Sequence, residues 1–174
     1  YSLDVIGDVG LTSADLSKMY SYTKNIMTDR NGILKGVSWQ SCPGGLIYNR
    51  TIAKAVLGSD DPDTVQNALD SWDKFEAVAA TAKAKGYYML SGYDADYRVF
   101  YDNMTAPWVD ANGKINLDSS IQRWIDQTKE FTAQGYNHKL DLWSDALPAD
   151  IASCKAFAFF GPPWFFDFCL APWT

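Results

Sequence analysis

Three clusters of aromatic residues with polar neighbours carry the clearest chemistry in this sequence. They are Trp39-Gln40, the run Tyr93–Arg98, and Gly161–Trp164. Each cluster follows a predicted strand, and in α/β sheets ligands gather at the carboxyl ends of strands. An exposed ring there offers a flat apolar face to a pyranose, while Asp, Gln and Arg side chains can hydrogen-bond its hydroxyl groups. The pattern therefore predicts a sugar-binding site.

The aromatic residues of the last cluster divide between core and ligand site. Phe157, Phe159 and Phe160 lie on a predicted strand and are expected to be core. Trp164 follows the Gly-Pro-Pro turn, which favours a ligand platform. The candidate ligand residues of the three clusters are Trp39, Gln40, Tyr93, Asp94, Asp96, Tyr97 and Trp164.

An enzyme is the alternative interpretation of the same residues. Glycosidases need two carboxylates about 5–10 Å apart, and Asp94 with Asp96 is a candidate pair for a carbohydrate-active enzyme. The chain has 21 acidic residues, so a nearby pair carries little information. The single histidine, His138, lies in a predicted polar loop, and neither a G-x-S-x-G elbow nor a phosphate-binding glycine loop is present. We therefore expect a protein that is not an enzyme.

Charge and cysteine content restrict the partners. The formal net charge is −6 without any run of Lys or Arg, so a nucleic acid would be repelled. With one histidine a zinc site lacks ligands, and no cofactor is predicted. Cys42, Cys154 and Cys169 lack CxxC spacing and are expected to be small buried hydrophobic residues, with a reactive thiol, or one disulfide and one free thiol, as the alternatives. Prolines interrupt the apolar run 157–174 too often for membrane insertion.

The elements that must position these clusters follow from helix caps and apolar periodicity. Thr12 and Ser13 are suitable caps for a helix whose apolar face reaches Met27. Asp118 begins a long helix that Gly135 ends. Short helices alternate with short strands, which predicts the α/β class. Helices are also expected after Asn49, Asp61 and Ser71 and near residues 97–104, and strands at 33–39, 44–48, 87–90 and 155–160.

Several motifs, in this order, resemble extracellular (family 1) solute-binding proteins of carbohydrate ABC transporters, the group that includes maltose-binding protein. The motifs are "LIYNR", "DSWDKFEAVAATAKAKGYYMLSGYDADYRVF", "NGKINLD" and "FAFFGPPW". The resemblance implies a periplasmic-binding-protein-like (type II) α/β lobe with a mixed sheet flanked by helices. It assigns residues 1–30 to the end of a first lobe and residues 31–174 to most of a second. Members are considerably longer, so the chain is expected to be a fragment.

The resemblance also implies roles for individual residues. Trp164 matches the aromatic that follows the "GP" turn and stacks on sugar, and Tyr97 matches a tyrosine that faces the cleft. Trp39 and Gln40 lie where a strand from the hinge reaches the cleft, and Asp94 with Asp96 would accept bonds from sugar hydroxyls. Phe165, Phe166, Phe168 and Cys42-Pro43 fit no such pattern.

The family further implies the partners and the location of the protein. The ligand would be a sugar or oligosaccharide held between two lobes, and the closed form would contact the membrane permease subunits. The expected location is extracellular, as a cell-surface lipoprotein or in the periplasm. A third interpretation is a structural or interaction fragment whose aromatic end is a severed interface.

Overall fold

The computed structural model describes residues 2–174, which divide into two compact units. One unit extends to Cys42 and the other runs from Pro43 to Thr174. The lobe boundary that the resemblance implies, at residues 30 and 31, stays a prediction. No helix within the described residues combines the length and apolar content needed to cross a membrane.

The first unit has little regular structure. Its core consists of Val5, Leu16 and Leu34, and its one α-helix, α1, covers Ser21–Ile26. The expectation of a helix beginning at Thr12 is wrong, because residues 13–18 form turns.

The predicted cap at Thr12 forms, although a regular helix does not follow it directly. The Asp15 carboxylate accepts from both the backbone N–H and the hydroxyl of Thr12, at 2.8 and 2.6 Å, and the Asp15 N–H donates to the Thr12 hydroxyl at 3.3 Å, which is the reciprocal pattern of a helix N-cap. Regular helix begins only at Ser21. The expected strand at 33–39 is also wrong, since Leu34 forms only an isolated bridge with Thr28.

A four-stranded mixed sheet organises the second unit. Its order is β1-β4-β2-β3, in which β1 is antiparallel to β4 and the other neighbours are parallel. The strands are β1 (Gly45–Tyr48), β2 (Tyr88–Gly92), β3 (Asn137–Leu140) and β4 (Ala156–Gly161).

The strand β3 corrects the predicted polar loop around His138. It is an edge strand that pairs with β2 alone, and the Met89 N–H donates to the Tyr136 carbonyl at 2.7 Å just before it. A polar sequence is tolerated because one side of an edge strand faces water.

Four helices of the second unit begin where capping side chains predict. Asn49, Asp61, Ser71 and Asp118 each accept a bond from a backbone N–H of the first turn. The helices are α2 (Arg50–Leu57), α3 (Pro62–Ala68), α4 (Trp72–Ala84), α5 (Tyr97–Asp102), α6 (Ser119–Gln134), α7 (Leu147–Ala152) and α8 (Pro163–Phe165), followed by a π turn (Phe166–Leu170) and a 3-10 turn (Ala171–Trp173).

Helices pack on the sheet through a core rich in phenylalanine. Phe75 of α4 and Phe131 of α6 stack with ring centroids 6.1 Å apart, and Phe157 of β4 is fully buried. Phe159 is also buried and Phe160 is half-buried, which confirms that the rings of this strand are core.

The cysteines differ from expectation. Cys42 and Cys154 are exposed, Cys169 is half-buried, and all three are free thiols. Cys154 lies in the loop between α7 and β4 with a φ of 51°, so its side chain points from a turn rather than from a packed element. The prediction of buried cysteines is therefore wrong for Cys42 and Cys154.

Candidate functional site

The parallel strands β2, β3 and β4 all end at one edge of the sheet. Register places Gly92 beside Leu140, and Gly45 at the start of β1 beside Gly161 at the end of β4. We call the residues that follow these three strands, 93–96, 141–146 and 162–165, the carboxyl edge. In α/β sheets this is where ligands bind.

Two glycines allow the strands to end this close to their neighbours. A Cβ at Gly92 would lie 1.9 Å from the carbonyl oxygen of Leu140. A Cβ at Gly161 would lie 2.7 Å from the Phe165 ring, which is buried beneath the turn. The backbone at both strand ends is therefore fixed by contacts that only glycine permits.

Three aromatic rings are exposed at the carboxyl edge. Tyr93 follows β2 and is 45% exposed, Trp143 follows β3 and is 65% exposed, and Trp164 follows β4 and is 37% exposed. The two indoles are nearly parallel, with 18° between planes and centroids 6.4 Å apart. The buried Phe165 ring meets the indoles of both Trp143 and Trp164 edge-on, at 6.0 and 6.1 Å.

Asp94 connects two of the three loops. Its carboxylate accepts from the Leu142 N–H, at 3.2 Å to Oδ1 and 3.4 Å to Oδ2. Burial raises the pKa of the Asp94 carboxyl group, and the nearby Asp141 charge raises it by a smaller amount. The hydrogen bond from the Leu142 N–H acts in the opposite direction and lowers this pKa. Asp94 is half-buried, so oxygen lone pairs that the Leu142 bond does not use remain for a ligand hydroxyl.

Asp96 and Tyr97 lie where α5 begins. Asp96 is 2% exposed, and its Oδ2 accepts from Gln127 Nε2 of α6 at 2.8 Å. Burial raises the pKa of Asp96 to about 7. Tyr97 is half-buried, with its ring 4.8 Å from that of Trp124 and 5.6 Å from that of Tyr101.

The structure brings some of the predicted ligand residues together. Tyr93, Asp94 and Trp164 present surface at the carboxyl edge, whereas Asp96 of the same edge is enclosed and its Oδ2 accepts from Gln127. Trp39 and Gln40 belong to the first unit, where Trp39 is 90% exposed and follows no strand.

Sequence reasoning missed Trp143. Its cluster, Asp141-Leu142-Trp143-Ser144, follows β3 as Tyr93 follows β2 and Trp164 follows β4. Because β3 is short and polar, no strand is predicted before Trp143, and a preceding predicted strand was the signal that marked the other clusters. The available signal was an isolated tryptophan between Asp141 and Asp145.

A polar chain, buried at Ser91 and Asp150 and partly exposed at His138, lies between β2, β3 and α7. Ser91 Oγ donates to Asp150 Oδ2 at 2.7 Å, and Asp150 Oδ1 is hydrogen-bonded to His138 Nδ1. The carboxylate, not the imidazole, contacts the serine, so His138 is not placed to take the serine proton as in a nucleophile–base pair. Among residues 2–174, no three His, Cys, Asp or Glu side chains converge as metal ligands would.

One comparison with known proteins supports the fold. No protein-family model matches the sequence, and no curated protein matches it. A solved structure described as an extracellular solute-binding protein family 1 is similar, with a TM-score of 0.79 and 17% sequence identity. The match covers 95% of this chain and 43% of that one, so this chain spans less than half its length. The mixed α/β fold predicted for the chain, that of a solute-binding protein lobe, is thereby confirmed.

Proposed function

We propose that this chain is the sugar-binding part of an extracellular solute-binding component of an ABC importer, and that it captures a sugar or oligosaccharide without chemical turnover. The observation that carries the proposal is the meeting of exposed aromatic rings and a half-buried carboxylate at the carboxyl edge of a sheet with this fold. Trp164 stacks on the ligand, and Asp94 accepts a bond from one of its hydroxyls. Tyr93 adds a second exposed ring to the site.

The remaining predicted ligand residues take secondary parts in this proposal. Tyr97 presents a ring edge from beside Trp124, and Asp96 holds the start of α5 through Gln127 instead of touching the ligand. Trp39 and Gln40, in the first unit, stay predicted ligand residues. The ligand lies in a cleft between lobes, and closure presents a surface to the membrane permease subunits. The protein works outside the cytoplasm, in the periplasm or as a cell-surface lipoprotein.

The burial of Asp96 supports a binding function over a hydrolytic one. A glycosidase needs both carboxylates at the scissile bond, yet Asp96 is enclosed and its Oδ2 is occupied by Gln127. Only Asp94 of the pair has a surface from which to reach a sugar.

A sugar titration followed by NMR of the indole N–H groups tests the proposal, because the method detects weak binding. The chain has seven tryptophans, whose signals are assigned from single Trp→Phe variants. We expect saturable shifts of the Trp164 signal with glucose-based or xylose-based saccharides, and at least a tenfold weaker affinity in Trp164→Ala. The matched control is Trp108→Ala, which removes a similarly exposed ring (39%) that is not among the residues of the carboxyl edge.

Two results would contradict this function. If Trp164→Ala and Trp108→Ala bind the sugar equally well, Trp164 is not the platform. If reducing ends accumulate during incubation with an oligosaccharide at catalytic protein concentration, the carbohydrate-active enzyme is the better interpretation.

A further inference from the structure

Trp143 is the most exposed aromatic residue of the carboxyl edge and packs only through part of its ring. One face lies toward Trp164, at 6.4 Å between centroids, and an edge contact with Phe165 at 6.0 Å fixes its tilt. Exposed indole surface of this size adds little to folding, since burial is the source of hydrophobic stabilisation. Its position next to Trp164 therefore points to a ligand contact.

The loop that carries Trp143 is held in place by hydrogen bonds from its backbone N–H groups. The Trp143 N–H donates to Asp141 Oδ1 at 2.8 Å, and the Leu142 N–H donates to the Asp94 carboxylate. The Ser144 N–H and hydroxyl both donate to the Asp141 carbonyl, at 3.0 and 2.8 Å. A ring held this way is pre-organised, so a ligand that covers it loses little entropy in ordering the site.

The two indoles are an offset pair of exposed rings. Stacked carbon atoms touch at about 3.5–4.0 Å, whereas these centroids are 6.4 Å apart with nearly parallel planes. That combination is typical of an offset pair, in which each ring covers only part of the other. Both rings also keep surface in water, 65% for Trp143 and 37% for Trp164, so two neighbouring indoles are available to one ligand.

We propose that Trp164 and Trp143 bind successive rings of an oligosaccharide, so that Trp143 selects chains of two or more sugars over monosaccharides. This inference rests on the function proposed above. Asp94 supports it, because its carboxylate accepts from the residue just before Trp143 and therefore lies beside the two-ring platform, where ligand hydroxyl groups need an acceptor.

The test compares mono-, di- and trisaccharides of the same sugar. Glucose, maltose and maltotriose form one series, and glucose, cellobiose and cellotriose form another. In the series that binds, we expect the dissociation constant to fall about tenfold from glucose to the disaccharide, equivalent to about 1.4 kcal/mol. The indole N–H signals of Trp143 and Trp164 should shift together with the disaccharide.

Variants of Trp143 decide whether this residue is responsible for the preference. In Trp143→Ala the ratio of disaccharide to monosaccharide affinity should fall close to one, and Trp143→Tyr should restore most of it. Trp108→Ala should keep the full ratio. Circular dichroism and melting curves of each variant establish that the chain is folded, and Trp143→Tyr keeps the test valid if the alanine variant is destabilised.

The possible failures are distinct. If glucose binds as tightly as the disaccharides, or if Trp143→Ala leaves the ratio unchanged, the inference is wrong while the proposed function stands. If no member of either series produces a saturable shift of any indole signal, and xylose and xylobiose also fail, the proposed function is wrong and the inference falls with it.

Discussion

The Asp96→Asn substitution removes a buried carboxyl group while keeping the size of the side chain and one acceptor oxygen. The amide oxygen of the substitute can accept the bond that Gln127 Nε2 donates to Asp96, at 2.8 Å. Burial raises the pKa of Asp96 from 3.8 to about 7, so the folded chain favours the protonated carboxyl group. The substitution therefore removes an unfavourable buried charge at alkaline pH.

The sign and size of the effect follow from proton linkage. Between pH 3.8 and about 7, Asp96 is protonated in the folded chain and ionised in the unfolded chain. The folded state binds more protons there, so the free energy of unfolding falls as pH rises through this interval. Each pKa unit is equivalent to about 1.4 kcal/mol, which gives a total loss of about 4 kcal/mol for this group.

Urea unfolding followed by circular dichroism measures this loss. At about pH 8 the Asp96→Asn variant should be more stable than the wild-type chain by up to about 4 kcal/mol, and at about pH 4 the two should be close. Other carboxyl groups titrate alike in both chains, so the difference isolates Asp96. The control is Asp102→Asn on the same helix, whose side chain is 65% exposed and pairs weakly with Arg98 at 3.9 Å.

The reasoning is refuted if the free energy of unfolding depends on pH in the same way in Asp96→Asn and in the wild-type chain. If the difference between Asp96→Asn and wild type is constant from about pH 4 to pH 8, Asp96 does not change its protonation on folding. A difference of the same shape in Asp102→Asn would also refute it, because the effect would then come from net charge and not from burial.

Two further substitutions test the packing that supports the carboxyl edge. Gly92→Ala places a Cβ 1.9 Å from the Leu140 carbonyl oxygen and should lower the free energy of unfolding by about 3 kcal/mol. The control is Gly44→Ala, whose Cβ would lie in open space and which should change this free energy by less than about 0.5 kcal/mol. Urea titration compares the two variants. Ser91→Ala leaves Asp150 Oδ2 without its 2.7 Å hydrogen bond and should cost about 1–3 kcal/mol in the same assay, and an unchanged midpoint would contradict the polar chain.

Local signals made much of the fold predictable. Asn49, Asp61, Ser71 and Asp118 all cap the helices expected of them, because a side-chain oxygen and a nearby backbone N–H are close in sequence. The strand β3 escaped prediction for the opposite reason, since its support comes from pairing with β2, about 50 residues earlier.

The candidate site likewise contains residues that local sequence patterns predict and residues whose positions depend on distant contacts. Tyr93, Asp94 and Trp164 come directly after apolar strands, so the carboxyl-end rule located them. The enclosure of Asp96 depends on Gln127, which is 31 residues away on α6, and short-range patterns carry no information about that contact. Trp143 was missed along with the strand that delivers it.

The layers of the carboxyl edge separate stability from recognition. The buried layer consists of Phe165 against Gly161 and of the bond from Leu142 to Asp94, and these contacts fix where the loops run. The exposed layer consists of the Tyr93, Trp143 and Trp164 rings. Trp143, with 65% of its surface in water, loses little hydrophobic stabilisation when it is removed, whereas Trp164, at 37%, loses more. A Trp143 substitution therefore reports mainly on sugar affinity, and the melting curve of each Trp164 variant separates its effect on folding from its effect on binding.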